Sequence, residues 1–305
     1  MGASFPCQVR PGFRHSLFWQ RSRILSKRAQ TKAQSLAHFF RHFYYIWTMN
    51  LTLKILRDDL FDEYKKQLKI DIESAFVSIK KKSQTVEEFK FYLANSAVHS
   101  SNIEGNSVSF DTYLKATEFN LHLKTKEIKE IDDLIAAYQF ARENELTLEK
   151  ILKTHEILTS SILIKKERGK IRKVKVGVRS DGRLIYLAVE PEFVKQELEK
   201  LFSDISILLK TDLTTMEVFY YAALIHLVFV NIHPFVDGNG RATRLIEKWF
   251  LAKKLGDNAW FITSEKNYWN NRPTYYKNLQ LGVNYYEVKY EMSIPFLTML
   301  PNSLL

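Results

Sequence analysis

Nineteen consecutive residues, Val218 to Val236, carry no Asp, Glu, Lys or Arg. Over 218–230 the apolar residues fall on nearly every face of a helix. Such a segment has to be surrounded by protein. His226, Asn231, His233 and Pro234 interrupt the run. A membrane span needs a cleaner stretch of roughly 18 or more residues, so the run predicts a central core helix followed by a loop. Thr214-Thr215-Met216-Glu217 reads as the capping box that opens it. Pro234 biases His233 away from helical geometry, so the helix should stop just before the imidazole and leave it projecting from a helix end.

The rest of the chain supplies helices to pack around it. Phe and Tyr are plentiful (21 and 15), while Gly and Pro are scarce (10 and 7). That balance favours a mainly α fold over a many-turned β architecture. Leu56, Leu60, Tyr64 and Leu68 recur at spacing four and predict a helix from Leu51 to about Lys82. A second is predicted from about Val86 to Ser101, with Phe89, Leu93, Ala97 and Ser100 along one side and Gly105-Asn106 as its stop. Lys124–Asn144 is a third, Thr147 opens a fourth, and Val194–Leu209 is another amphipathic helix. Between 172 and 189 the period changes to two. Val174, Val176 and Val178 alternate with polar residues, and the turn Ser180-Asp181-Gly182-Arg183 leads into Leu184-Ile185-Tyr186-Leu187. This is a β-hairpin.

The formal charge of +11 is concentrated at one end. Residues 1–48 hold eight basic side chains and no acid; subtracting those eight from 45 leaves 37 basic residues against 34 acidic ones. The body is near neutral, so electrostatics gives no reason to invoke nucleic acid. Three readings compete for the basic extension: a transit peptide, a segment that touches a membrane surface, or upstream sequence read in frame before a start at Met49. The last is favoured, and no membrane association is expected. Cys7 is the only cysteine, which excludes a disulfide within the chain and fits a cytoplasmic setting.

The chemistry is concentrated in His233-Pro234-Phe235-Val236-Asp237-Gly238-Asn239-Gly240-Arg241-Ala242-Thr243-Arg244. Gly238 and Gly240 let the backbone turn sharply and bring N–H groups against an anion. A helix is predicted from near Gly240 to Lys254, stopped by Gly256. Its N-terminus attracts phosphate. Arg241 and Arg244 lie three apart at the positive end of that helix, which makes sense if an anion is held there. Asp237 is a hard oxygen ligand suited to Mg²⁺ beside phosphate. His233 has the ordinary pKa of a general base near neutrality. The His residues lack the paired spacing of a zinc protease.

At these residues the chain resembles the Fic family, whose signature reads His-x-Phe-x-[Asp/Glu]-Gly-Asn-Gly-Arg-x-x-Arg; every fixed position is matched. The resemblance implies a compact helical bundle with one β-hairpin flap and transfer of AMP from ATP, with Mg²⁺, to a Ser, Thr or Tyr hydroxyl of a target protein. It implies His233 as the base, Asp237 as the Mg²⁺ ligand, Gly238, Asn239 and Gly240 as the anion nest, and Arg241 and Arg244 as phosphate clamps, with Phe235 as a core anchor. The hairpin 172–189 is similar to the flap that docks the target by strand addition. Asn271-Arg272-Pro273-Thr274-Tyr275-Tyr276 resembles an element beside the nucleotide, which implicates Asn271 and Tyr275; core packing is the equal alternative for the tyrosines.

Ser100-Ser101-Asn102-Ile103-Glu104-Gly105 fits the family's inhibitory pattern, in which Glu104 would pair with Arg244 and block the γ-phosphate site. In related proteins the same Glu can position water to remove AMP. The resemblance covers roughly residues 85–290 and implies a helical region over 49–120 with the inhibitory helix, a core over 121–290 and a tail over 291–305. Two other readings stay open. One is a Fic-type transferase of another phosphate-containing group, against which the retained Gly240 and Arg244 count. The other is a non-catalytic, nucleotide-responsive interaction protein. The target and the extent of any homo-oligomer are not written in the sequence.

Overall fold

The computed structural model describes residues 51–80, 85–118, 125–180 and 182–305. The basic extension 1–48, the end of the first predicted helix at Lys82, the start of the third at Lys124, and Asp181 of the predicted turn lie outside them. Leu53–Leu305 pack as one unit.

The first predicted helix is two short ones, α1 (Phe61–Gln67) and α2 (Ile72–Lys80). Leu68 between them is extended, at φ −66° and ψ 129°. Residues 54–56 are not helical either, because their backbone donors are used elsewhere. Lys54, Ile55 and Leu56 all donate from their N–H groups to the carboxylate of Asp204 at 2.8–3.0 Å. Asp204 is fully buried, so these amides are what allow a carboxylate there. No periodicity argument finds this clamp, since it joins residues about 150 positions apart.

The inhibitory-helix candidate is α3 (Val86–Ile103), opened by a capping box between Thr85 and Glu88. Leu93, Ala97 and Ser100 are buried along it, and the chain leaves it through Gly105 at φ 97°. A helix that the periodicity missed follows, α4 (Phe110–Glu118), with the Ser109 hydroxyl accepting from the Thr112 N–H. Next come α5 (Lys126–Glu143), capped by Thr125, and α6 (Leu148–Leu158), capped by Thr147 as expected. The hairpin is narrower than 172–189. Strand β1 (Gly177–Ser180) pairs antiparallel with β2 (Arg183–Leu187), Val178 opposite Tyr186, with an irregularity between Val178 and Arg179. Residues 172–176 are not strand, because Arg172 turns inward there and its N–H donates to the carbonyl of Pro234.

Helix α7 (Pro191–Lys210) begins with proline at its first turn. Helix α8 (Thr215–Ile232) starts at the expected Thr214–Glu217 capping box. Helix α9 (Asn239–Leu255) stops at Gly256, φ 87°. Three shorter helices complete the order: α10 (Ser264–Asn270), α11 (Arg272–Leu279) and α12 (Ile294–Leu297). Every residue of α8 from Val218 to Phe229 is buried, since α1, α2, α7, α9 and α12 all pack against it. Among the described residues α8 is the one helix long and apolar enough to cross a membrane, and 83% of it is covered by the fold. The architecture is a mainly α bundle with one hairpin, its most extensive helix pairing being α8 with α9.

The Asp204 clamp yields a prediction. Asp204→Ala removes the acceptor of three amides and should destabilise the fold by about 2–4 kcal/mol in urea unfolding. Asp204→Asn, which keeps one carbonyl acceptor, should cost clearly less.

Candidate active site

The site is built where α8 ends and α9 begins. His233 is the C-cap of α8 in the left-handed conformation, φ 51° and ψ 61°, the one non-glycine residue with positive φ among those described. That conformation costs an L-residue about 1–2 kcal/mol. Pro234 excludes a further helical turn, but His233 takes the left-handed alternative rather than the extended one. Its backbone N–H closes onto the Phe229 carbonyl at 3.1 Å and its Nδ1 lies 3.2 Å from the Val230 carbonyl. A carbonyl can only accept, so Nδ1 carries the hydrogen and Nε2 keeps its lone pair. Burial, reinforced by the Arg172 guanidinium, holds the imidazole below the usual histidine pKa, against the pull of Glu104 and Asp237. It is therefore neutral, and able to accept a proton, at neutral pH.

The loop between the helices is held from inside. Asn239 uses its amide on the backbone of Phe235, accepting from its N–H and donating to its carbonyl, both at 2.9 Å. What Asn239 offers an anion is its own N–H at the start of α9. Phe235 is fully buried and stacks on His155 of α6, ring centroids 3.6 Å apart and 11° from parallel. The His155 Nδ1 accepts from the Gly169 N–H, so its Nε2 donates to the Asp237 carbonyl, each at 2.9 Å. Gly238 stands at φ 78°, and a Cβ there would meet Thr159 of the same shelf. The Asp237 carboxylate accepts from the Gly238 N–H and faces solvent. Among the described residues no group of three His, Cys, Asp or Glu side chains forms a ready cation cage. Asp237 fits a divalent cation as a single protein oxygen, with the other ligands supplied by phosphate and water.

The second half of the site closes over the first turn of α9. Arg244, 1% exposed, donates from Nε to the Ser100 hydroxyl (2.9 Å) and from one terminal nitrogen to the Ser100 carbonyl (2.9 Å) and to Glu104 Oε1 (2.7 Å). Its other terminal nitrogen reaches the Tyr275 hydroxyl at 3.3 Å. Tyr275 continues inward to His226, which meets Glu247, which also accepts from Tyr268. Burial would raise the Glu104 carboxyl, but Arg244, with Arg241 and His233, holds it below the usual range and hence ionised. Its carboxylate lies so close over Gly240 that a methyl group there would overlap Oε1. Glu104 therefore stands on the backbone where an anion would be cradled.

Ser100, Glu104, Gly240, Arg244 and Tyr275 are thus brought into one cluster. Arg241 diverges from the expected clamp position. It is buried and pairs with Glu130 of α5 at 2.8 Å, since a buried guanidinium takes the nearest carboxylate. Asn271 is exposed and donates to Asn267 of the preceding turn. Tyr276 of the same segment, not Asn271, touches α3, donating to the Ile103 carbonyl at 2.9 Å. Sequence reasoning also missed a buried ion pair one turn along α9. Lys248 meets Glu265 at 2.5 Å and the Ser96 hydroxyl at 2.6 Å, and Tyr138 donates to Glu265. The spacing of Ser96 and Ser100 on α3 against Lys248 and Arg244 on α9 was the only available signal.

With that geometry in place, comparison with known proteins gives a family match: residues 145–251 match the model of the Fic/DOC family. Among curated relatives, protein adenylyltransferase fic-1 of Caenorhabditis elegans is 32% identical over 160 residues, 48% of this chain and 29% of that protein. Protein adenylyltransferase Fic of Drosophila erecta is 28% identical over 163 residues, 51% of this chain and 31% of that protein. The chain thus spans about three-tenths of the length of these relatives. A Fic family protein from Desulfovibrio desulfuricans shares the fold with a TM-score of 0.64 at 19% identity, over 76% of this chain and 70% of its own. A Fic domain containing signaling protein from Bacteroides thetaiotaomicron does so at 0.57 and 20% identity, over 79% and 94%.

The His155 shelf yields a pH prediction. Burial pushes its imidazole down to about 4, whereas in the unfolded chain it titrates near 6.5. Between those values the unfolded state binds the extra proton, so stability is complete above about pH 6.5 and falls as pH drops toward 4. The loss should approach about 3 kcal/mol. In urea unfolding at pH 7.0 and 4.5, His155→Gln should show a visibly smaller acid loss than wild type.

Proposed function

We propose that this chain is a protein adenylyltransferase, moving AMP from ATP to a hydroxyl group of a target protein, and that Glu104 restrains it. The observation that carries the reading is the placement of an ionised carboxylate on the anion-cradling turn of α9, paired to Arg244. A buried guanidinium beside the first N–H groups of a helix is a site for phosphate, and Glu104 takes that position in place of the γ-phosphate. ATP would lie with its phosphates over Gly238–Gly240, and Arg244 would exchange Glu104 for phosphate oxygen. Asp237 would hold Mg²⁺, which when bound neutralises phosphate charge and orients the leaving group.

Nε2 of His233 takes the proton of the target hydroxyl, the oxygen attacks the α-phosphorus, and the bond to the β-phosphate oxygen breaks to release pyrophosphate. The free edge of the hairpin would receive the target segment by strand addition. The same Glu104, at the mouth of the site, would orient water for the reverse removal of AMP.

Incubation with α-labelled ATP and Mg²⁺ tests the reading. Glu104→Gly should raise protein labelling at least tenfold over wild type, and adding His233→Ala should return it to background. Label from γ-labelled ATP should not transfer. Equal labelling in all three proteins, or transfer of the γ label, would exclude AMP transfer. ATP binding without transfer in Glu104→Gly would leave a nucleotide-responsive binding protein.

A further inference from the structure

A helix C-terminus leaves four carbonyls without intrahelical partners, and at α8 each has one. Phe229 and Val230 are satisfied by His233 itself, through its N–H and its Nδ1. The Asn231 carbonyl accepts from the Tyr186 hydroxyl of β2 at 2.8 Å. The Ile232 carbonyl accepts from Arg172 Nη2 at 3.3 Å. Beyond the helix, Arg172 Nε donates to the His233 carbonyl at 2.7 Å and the Arg172 N–H donates to the Pro234 carbonyl at 2.9 Å. The imidazole therefore projects from a turn whose outer carbonyls are all held by residues of the hairpin segment.

Arg172 grips that segment as well. Nη1 donates to the Val174 carbonyl at 2.9 Å and Nη2 to the Val189 carbonyl at 2.5 Å, one on each side of the hairpin base. The side chain is 2% exposed and its donors go to carbonyl oxygens, with Glu190 acting only through space. A guanidinium buried on dipoles alone is a costly choice for stability. Its planar fork is suited to fixing several carbonyls at set angles.

We propose that Arg172 and Tyr186 are positioning residues for His233: from the hairpin segment they hold the carbonyls that follow Val230 at the end of α8, so that the surface that receives a target and the group that takes its proton are one mechanical unit. This rests on the AMP-transfer reading for its consequence, but not for its structural content. Loss of either residue frees the left-handed turn. The imidazole then samples rotamers in which Nδ1 no longer meets Val230 and Nε2 is misdirected. Groups that face the imidazole from packed elements are Arg172, Glu104 and Asp237. Removing the positive charge of Arg172 should also raise its pKa.

The test uses the full chain labelled with ¹⁵N-histidine, with the His233 signal assigned through His233→Ala. Wild type should show His233 as the Nδ1–H tautomer. Tyr186→Phe, which keeps the ring and loses one donor, should show mixed tautomers with little change of pKa. Arg172→Gln should show both mixed tautomers and an upward pKa shift, and Arg172→Lys should restore the pKa but not the tautomer. In the Glu104→Gly background, AMP transfer by Tyr186→Phe should fall about tenfold in kcat with KM for ATP unchanged. An unaltered His233 signal in Tyr186→Phe overturns the proposal whatever the transfer rate. So does an altered signal with undiminished kcat. If Glu104→Gly itself transfers no AMP while the signals change as stated, the transfer reading fails and the positioning role stands. Should Arg172 variants fail to fold, Tyr186→Phe decides alone.

Discussion

The guanidinium of Arg244 is buried in the second turn of α9, close to the positive helix end, and so an acceptor from elsewhere has to meet it. Three come from α3, the Ser100 hydroxyl, the Ser100 carbonyl and the Glu104 carboxylate. One turn along α9 the pattern repeats, with Lys248 meeting Ser96 as well as Glu265. Residues 96, 100 and 104 of the α3 segment thus face 248 and 244 of α9 as a ladder. That ladder places α3, sets how deeply Glu104 reaches over Gly240, and gives Arg244 and Lys248 each a carboxylate partner. An exchange of Glu104 for phosphate would leave Arg244 with an anionic partner.

Below the ladder, the loop 233–238 is fixed from several independent directions. Asn239 closes it on itself, His155 supports it by stacking and by a donor, and Arg172 and Tyr186 hold its entry from the hairpin. The left-handed His233 is a strained conformation that such redundancy can maintain. The result is a neutral imidazole with a defined tautomer at one end of a short loop and, at the other, a helix start covered by the Glu104 carboxylate. Both ends belong to α8 and α9, the best-packed pair in the bundle.

Local signals carried much of this. The capping residues Thr147 and Thr214, the stop glycines Gly105 and Gly256, and the burial of α8 all appear where the pattern placed them. The Glu104–Arg244 contact was expected from the resemblance and is present at 2.7 Å. The failures share a cause. The helix predicted over Leu51–Lys82 ignored Asp204, which is distant in sequence and takes the amides the helix would have needed. The expected pairing of Arg241 with Arg244 on one anion ignored Glu130. His155 looked like any residue of an amphipathic helix, because its partners Gly169, Phe235 and Asp237 meet it only once the chain is folded.

By itself the sequence determined the central helix, the turn that ends it and the glycine-flanked helix start that follows, because apolar periodicity, a proline after the imidazole and paired glycines act through neighbours a few residues away. Only the tertiary structure decided which charge meets which. Arg244 is answered by Glu104, Arg241 by Glu130, Lys248 by Glu265 and the carbonyls around His233 by Arg172, and such choices depend on distances between elements that no local spacing contains.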